Sequence, residues 1–204
     1  MTYIIHFLYG IVMGYFGLIS PGMLNMTALK ISLTTNKSSA VKFAVGASLI
    51  VFIQAGIALF FADYLVKNPE IIRALKIVGV VVFLILAIFF FYLSRKEFKT
   101  NSTNSKMNYI FKGIGMSMAN MLAIPFYLGL SIYLASIQII IIKQPYIMFF
   151  VSGAAIGAFL LFYTYIVFAK IIKNKVSFIA KNINILLSVL FLILGILTLT
   201  KLLN

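Results

Sequence analysis

The fold of this chain is decided by residues 41–66, which read VKFAVGASLIVFIQAGIALFFADYLV. This stretch carries one Lys near its start and one Asp near its end, and every residue between them is uncharged. A helix of about 20 apolar residues crosses a hydrocarbon core about 30 Å thick. In lipid the backbone polar groups must pair within their own segment. The stretch therefore predicts a membrane-spanning helix.

The rest of the chain has a similar character. Of its 204 residues, 63% are hydrophobic and 10% are charged, whereas a typical soluble domain has about 25% charged residues. A chain of this size cannot bury so much apolar surface, and the short alternating segments of a membrane β-barrel are missing. We expect an all-α membrane protein with six transmembrane helices, at about these ranges: 3–29, 40–66, 71–94, 108–134, 146–170 and 183–202.

Basic residues favour one side of this predicted bundle. Twelve of the 17 Lys and Arg residues lie in the connections that follow the first, third and fifth spans. Cytoplasmic connections are rich in Lys and Arg, so we expect both termini to lie outside a bacterial inner (plasma) membrane. The same bias explains the net charge of +14, and we expect the lipid bilayer rather than a nucleic acid as the partner.

The polar segment 95–107, a predicted cytoplasmic linker, divides the single membrane domain 1–204 into two halves, 1–94 and 108–204. Three spans in each half give the halves opposite orientations, which is the inverted repeat found in many transporters. The first span of each half carries glycines, an Asn and a Pro: Gly10, Gly14, Pro21 and Asn25, then Gly113, Gly115, Asn120 and Pro125.

These two Pro-containing segments are the best candidates for a transport site. A Pro inside a helix removes a backbone hydrogen bond and kinks the helix. The freed carbonyls can face a cavity, and the N-terminus of a half-helix can receive a carboxylate. Buried amides are costly unless they are paired. We expect the following residues to contact substrate: Ser20, Pro21, Gly22, Asn25, Gln54, Ser117 and Asn120.

Each of these positions also has a structural interpretation. The segment at Pro21 can be a plain kink with Asn25 bonded to a neighbouring helix, and a kink is the better explanation of Pro125. Gln54, near the middle of the second span, can form an interhelical hydrogen bond instead of lining a path. Asp63 is a candidate for ion coupling, although a carboxylate at the end of a span more commonly pairs with a Lys in a wet loop.

The titratable and nucleophilic residues exclude several other functions. The chain has no Cys and a single His, His6. One His without ligand partners cannot hold a metal ion, so we interpret His6 as a residue of the membrane interface. Without Cys there is no disulfide or thiol redox chemistry, and no paired acids or Ser-His arrangement indicates a hydrolase. We expect no enzyme activity, no cofactor and no metal.

Several of these segments resemble a known family. Residues 17–31, in which a Ser-Pro-Gly sequence precedes an Asn, are similar to the Pro-Gly-Pro region in the first helix of the LysE/RhtB amino-acid exporters. Residues 43–46 resemble the opening of that family's second helix. In the second half, residues 111–113 and 117–120 are similar to the family segment that ends in Asn-Pro-Lys.

The chain departs from the family pattern at three places. Met23 stands where the family has its second Pro, Met121-Leu122 replaces Pro-Lys, and the usual Asp falls near Ile50 or Val51. The resemblance implies alternating-access export of an amino acid or a similar small metabolite, with the proton gradient as one source of energy. The alternative is a non-transporting scaffold or accessory protein of a membrane complex. Assembly into a homo-oligomer stays open.

Overall fold

The computed structural model describes residues 2–19, 21–68, 108–120 and 122–175, together with scattered positions between 84 and 95 and between 185 and 200. The described residues contain no strand, in agreement with the predicted helical fold. Their helices are α1 Thr2–Gly17, α2 Met23–Thr34, α3 Lys37–Lys67, α4 Tyr109–Ala119, α5 Ala123–Ser136 and α6 Tyr146–Val167.

The chain forms two compact units. The first contains Met1–Tyr64 and Ser102–Lys173, and the second contains Leu65–Asn101 and Asn174–Asn204. In the second unit, the buried Ser188 hydroxyl donates a hydrogen bond to the Ala87 carbonyl over 2.9 Å. This bond joins parts of the predicted spans 71–94 and 183–202, most of which lie outside the described residues.

Two described helices are long and apolar enough to cross a membrane. They are α3 and α6, and they match the predicted second and fifth spans. The chain bends by 64° between α4 and α5, which have the length and composition of a third span if the bent pair is counted as one, while α1 is a shorter apolar helix. The predicted first and fourth spans are thus each divided into two helices. The first of them continues to Thr34, beyond the predicted end at residue 29.

The two faces of α3 are arranged as lipid requires. Its buried face consists largely of small residues, and Ala47, Ala55 and Ala58 are fully buried. Its opposite face exposes more than half of four large apolar side chains: Leu49, Ile53, Ile57 and Phe60. Small residues let neighbouring helices approach closely inside a membrane, where large apolar side chains can face the lipid tails. In water such a stripe would be an exposed hydrophobic patch.

Glycines bring α1 into backbone contact with α6. A Cβ atom at Gly14 would overlap the carbonyl oxygen of Ala154. A Cβ atom at Gly157 would in turn overlap the carbonyl oxygen of Ile11. Because each glycine faces the backbone of the other helix, only a hydrogen atom fits at these positions, as in other closely packed membrane helices.

The contact between α4 and α3 repeats this arrangement. A Cβ atom at Gly113 would overlap the carbonyl oxygen of Phe43, and one at Gly46 would overlap that of Ile110. In both helix pairs, the carbonyl oxygen that the added Cβ would overlap belongs to the residue three positions before the glycine of the facing helix. The two helix contacts therefore share one register.

Candidate functional site: two helix breaks

The first helix break separates α1 from α2 at residues 18–22. Pro21 is buried, and Gly22 is extended, with φ −83° and ψ −178°. Because Pro has no N–H and disfavours the helical conformation of the residue before it, the hydrogen-bond ladder of α1 stops here. Pro21 and Gly22 thus lie at the break, as the sequence predicted. Ser20 lies outside the described residues.

Two side chains complete the hydrogen bonds of the carbonyls at the end of α1. The Asn25 amide nitrogen donates to the Leu18 oxygen over 2.6 Å. The Tyr165 hydroxyl, which comes from α6, donates to the Ile19 oxygen over 2.9 Å. Asn25 and Tyr165 are 3% and 5% exposed, respectively. The break is therefore held by one side chain from its own segment and one from a distant helix.

A further hydrogen bond ties α1 to α6 beside this break. The Tyr15 hydroxyl lies 3.2 Å from the Thr164 hydroxyl oxygen. Thr164 donates its own hydrogen to the Leu160 carbonyl over 2.9 Å, so Tyr15 is the donor of the bond between the two side chains. The polar residues next to Tyr165 thus serve the contact between α1 and α6.

The second helix break lies between α4 and α5. The Asn120 N–H donates to the Ser117 carbonyl over 3.0 Å and closes the last turn of α4. The helix α5 begins at Ala123 without a side-chain cap. Pro125 occupies the first turn of α5, where a missing N–H costs nothing. The 64° bend therefore precedes Pro125, to which the sequence analysis had attributed a kink within a helix.

Gln54 on α3 completes the hydrogen bonds at the second break. Its amide nitrogen donates to the Ser117 oxygen over 3.0 Å and to the Asn120 oxygen over 3.1 Å. Carbonyl oxygens only accept hydrogen bonds, so the nitrogen must face them and the amide oxygen must point elsewhere. The interhelical bond expected as one interpretation of Gln54 is therefore present.

Polar atoms without a partner remain at the second break. Gln54 is 5% exposed and Ser117 is fully buried. Among the described residues, neither the Gln54 amide oxygen nor the Ser117 hydroxyl has a hydrogen-bond partner. Such atoms are unfavourable in a protein interior, and functional sites are where they persist.

The two breaks are neighbours in the first unit. A Cβ atom at Gly17, the last residue of α1, would overlap the ring of Phe126 in the first turn of α5. At the other end of these elements, the Thr35 hydroxyl lies 3.3 Å from the hydroxyl of Tyr109, which begins α4. The structure thus brings the end of α1, just before the first break, into contact with the start of α5, just after the second.

A cavity of about 390 Å³ lies at the far ends of α2 and α6. Its lining contains Ser32, Leu33, Lys37 and residues 166–171. The Ser32 hydroxyl crosses between the two helices and donates to the Ile166 carbonyl over 2.9 Å. None of the candidate residues predicted from the sequence lines this cavity.

Two other candidate residues lie elsewhere. Asp63, the candidate for coupling, is half-buried near the C-terminal end of α3. His6 is 1% exposed and thus packed inside the protein, while its place at the membrane interface stays a prediction. Its Nε2 accepts from the Ile141 N–H over 2.7 Å, and its Nδ1 lies 2.7 Å from the Thr2 oxygen. Since Nε2 is an acceptor, Nδ1 carries the hydrogen, and the ring joins α1 to the segment before α6.

Tyr165 is the residue at the breaks that sequence reasoning missed. It stands eight residues after Gly157, just as Gln54 stands eight residues after Gly46. Each of these glycines packs against a broken helix. The sequence therefore contains this equal spacing, but the spacing can be related to the breaks only when the helix contacts are known.

Together, the apolar helices and the broken segments define a helical membrane protein. A family model described as LysE type translocator matches residues 15–202. The chain therefore belongs to the LysE type translocator family, as its motifs predicted, and is a membrane transporter. Searches of curated proteins and of solved structures gave no match.

Proposed function

We propose that the chain is a bacterial inner-membrane secondary transporter that exports an amino acid or a similar small metabolite by alternating access. The observation that carries this proposal is the pair of neighbouring helix breaks, each held by buried polar side chains. Broken helices in corresponding halves of a membrane protein are typical of the substrate sites of secondary transporters. Membership in a translocator family supports the same conclusion.

We further propose six spans arranged as two inverted three-helix repeats. In this arrangement α1 with α2 is equivalent to α4 with α5, and α3 is equivalent to α6. The glycine contacts support it. Gly14 of α1 faces the backbone of α6 in the same way as Gly113 of α4 faces the backbone of α3. Gly157 of α6 and Gly46 of α3 are the corresponding glycines on the facing helices. The Ser188 bond to Ala87 also fits, since it pairs the third proposed span with the sixth.

The side chains at the breaks support the same equivalence. Gln54 donates to a carbonyl four residues beyond Gly113, and Tyr165 donates to one five residues beyond Gly14. In the proposed repeats, each of these donors comes from the half that does not contain the break. A rocking movement of one half against the other would therefore alter the hydrogen bonds at both breaks, which couples the site to the conformational change.

The cavity at the ends of α2 and α6 is the proposed cytoplasmic entrance. With both termini outside, these helix ends face the cytoplasm, where an exported substrate would enter. Lys37 and Lys170 belong to the cavity lining, in keeping with the basic character of cytoplasmic connections. Its volume of about 390 Å³ lies within the range of small-molecule pockets, roughly 300–1,000 Å³.

The proposal is tested by replacing the residues that break the first helix. Metabolites in the medium of overexpressing and deleted strains would identify the exported compound, and its efflux from loaded vesicles would then be measured. Pro21→Ala combined with Gly22→Leu should abolish efflux without preventing membrane insertion. Gly56→Ala is the matched control, because a Cβ there meets no atom within 4 Å. Unchanged efflux from the double variant would remove the first break from the transport site.

A further inference from the structure

Buried polar atoms without a partner are concentrated away from the first break. The described residues contain four such atoms: Ser48 Oγ, Gln54 Oε1, Ser117 Oγ and the Tyr127 hydroxyl oxygen. Gln54 and Ser117 are held side by side, because the Gln54 nitrogen donates to the Ser117 carbonyl over 3.0 Å. None of the four atoms belongs to a described residue of the first break, whereas two of them, on Gln54 and Ser117, lie at the second.

The orientation of Gln54 is fixed, and this determines what the second break can bind. Its nitrogen is occupied by two carbonyl oxygens, which leaves Oε1 as an acceptor only. The Ser117 hydroxyl can both donate and accept. A ligand group that satisfies both residues must therefore carry a hydrogen-bond donor, and a second polar atom or hydrogen for the hydroxyl. Amides and hydroxyls have this character.

The lack of charged residues in the predicted spans disfavours an ammonium or a carboxylate of the solute at this position. The chain has no charged residue between Lys42 and Asp63, and none between Lys112 and Lys143. The predicted third and sixth spans are uncharged over 77–93 and 182–200. An ammonium or a carboxylate bound at the second break would therefore have no side chain of opposite charge beside it. Only the partial charges of the broken helix would offset the cost of burying it, and that cost is large.

We propose that the second break binds an uncharged polar group of the transported molecule between Gln54 Oε1 and Ser117 Oγ. The transporter thereby selects small solutes with an uncharged, hydrogen-bonding side chain over solutes with a charged or apolar one. This inference rests on the proposed transport function and names the class of substrate for it. Gln54 and Ser117 are buried here, so the solute reaches them when the two halves move.

The experiment is counterflow in vesicles that contain the purified full-length chain. Radiolabelled glutamine, methionine, glutamate and lysine have similar lengths and differ in the chemistry of the side chain. We expect wild-type vesicles to exchange glutamine at least about tenfold faster than glutamate or lysine, a factor that corresponds to only about 1.4 kcal/mol. Methionine should be exchanged more slowly than glutamine.

Ser117→Ala removes an unpartnered hydroxyl and should leave the fold intact. The expected result is an approximately tenfold loss of glutamine exchange, unchanged methionine exchange, and a melting temperature that is equal to or higher than that of the wild type. The matched control is Ser131→Ala. Ser131 is also fully buried, but its hydroxyl donates to the Leu128 carbonyl over 3.0 Å. This control should lower the melting temperature and keep the preference for glutamine.

The outcomes separate the inference from the proposed function. If wild-type vesicles exchange lysine or glutamate as fast as glutamine, the inference is overturned while the transport function stands. The same holds if Ser117→Ala retains the wild-type preference for glutamine over methionine. If wild-type vesicles exchange none of the four solutes, the inference is overturned, and the proposed export is then decided by the metabolites in the medium of overexpressing and deleted strains.

Discussion

The two helix breaks are built from similar parts and differ in how their hydrogen bonds are completed. At the first break two carbonyls meet two donors, because Asn25 serves Leu18 and Tyr165 serves Ile19. Proline creates this break, and the described side chains Asn25 and Tyr165 are used there within the protein. The hydrogen bonds described at the first break therefore stabilise the broken helix.

At the second break a single side chain serves two carbonyls. The Gln54 nitrogen donates to the carbonyls of both Ser117 and Asn120, while the Gln54 oxygen and the Ser117 hydroxyl have no partner among the described residues. A broken helix therefore does not by itself make a binding site. Carbonyls freed by a break are costly to leave unpaired, so neighbouring donors satisfy them, and the polar atoms left over are those that a ligand can meet.

The largest effect is expected when the second break loses its only described side-chain donor. Gln54→Leu removes both side-chain hydrogen bonds and leaves the two carbonyls with only the backbone N–H groups of Asn120 and Ala123 as donors. The loss of two hydrogen bonds should lower the free energy of unfolding by about 2–3 kcal/mol. Unfolding in detergent, followed by circular dichroism, measures the change. The control is Ile53→Leu, because Ile53 is the adjacent residue and is 53% exposed on the face opposite the core. Equal stability of the two variants would contradict this account of Gln54.

A second prediction tests whether the two breaks are supported by equivalent helix contacts. Gly113→Ala forces a Cβ against the Phe43 carbonyl. Gly14→Ala forces a Cβ against the Ala154 carbonyl. Each substitution should cost about 1–3 kcal/mol of unfolding free energy, measured by the same unfolding experiment. If the repeats share one register, the two costs should be similar.

The control for this pair lies on the same helix. A Cβ at Gly115 meets no atom within 4 Å, so Gly115→Ala should be neutral or stabilise α4 by up to about 1 kcal/mol. A harmless Gly113→Ala would show that α3 and α4 are not in backbone contact. Clearly unequal costs at Gly14 and Gly113 would argue against the equivalence of the two halves.

The smallest effect is expected at the first break, where the donors are divided between two residues. Tyr165→Phe keeps the ring and removes only the donor to the Ile19 carbonyl, so the loss should be about 1 kcal/mol. Thermal unfolding measures it against Tyr163→Phe, whose ring lies on the same helix and is 46% exposed. A loss at Tyr165 as large as that at Gln54 would erase the difference between the breaks.

The sequence predicted the uninterrupted helices well. Both α3 and α6 come from long apolar runs, and each begins within three residues of its predicted start. Their ends are clear because charged or polar residues follow the apolar run, and lipid-length runs leave few alternatives. The broken helices were also located, since Pro21 and the region of Asn120 both fall at breaks.

The details of the breaks depend on contacts between residues far apart in the chain. The bond from Tyr165 to Ile19 spans 146 residues, and the bond from Gln54 to Ser117 spans 63. The bond between His6 and Ile141 likewise spans 135 residues. Local propensity carries no information about such pairs, so the sequence could name polar residues but could not say which of them would satisfy one another.

Under the proposed alternating access, the second break opens in turn to each side of the membrane. The chain has no Cys, so Asn120→Cys introduces a single thiol that can be labelled with a membrane-impermeant maleimide, with Ile53→Cys as the lipid-facing control. The account predicts that Cys at position 120 is labelled from outside in intact cells and from inside in inverted vesicles, while the control is labelled from neither side. Labelling of position 120 from one side only, with and without transported solute, would contradict it.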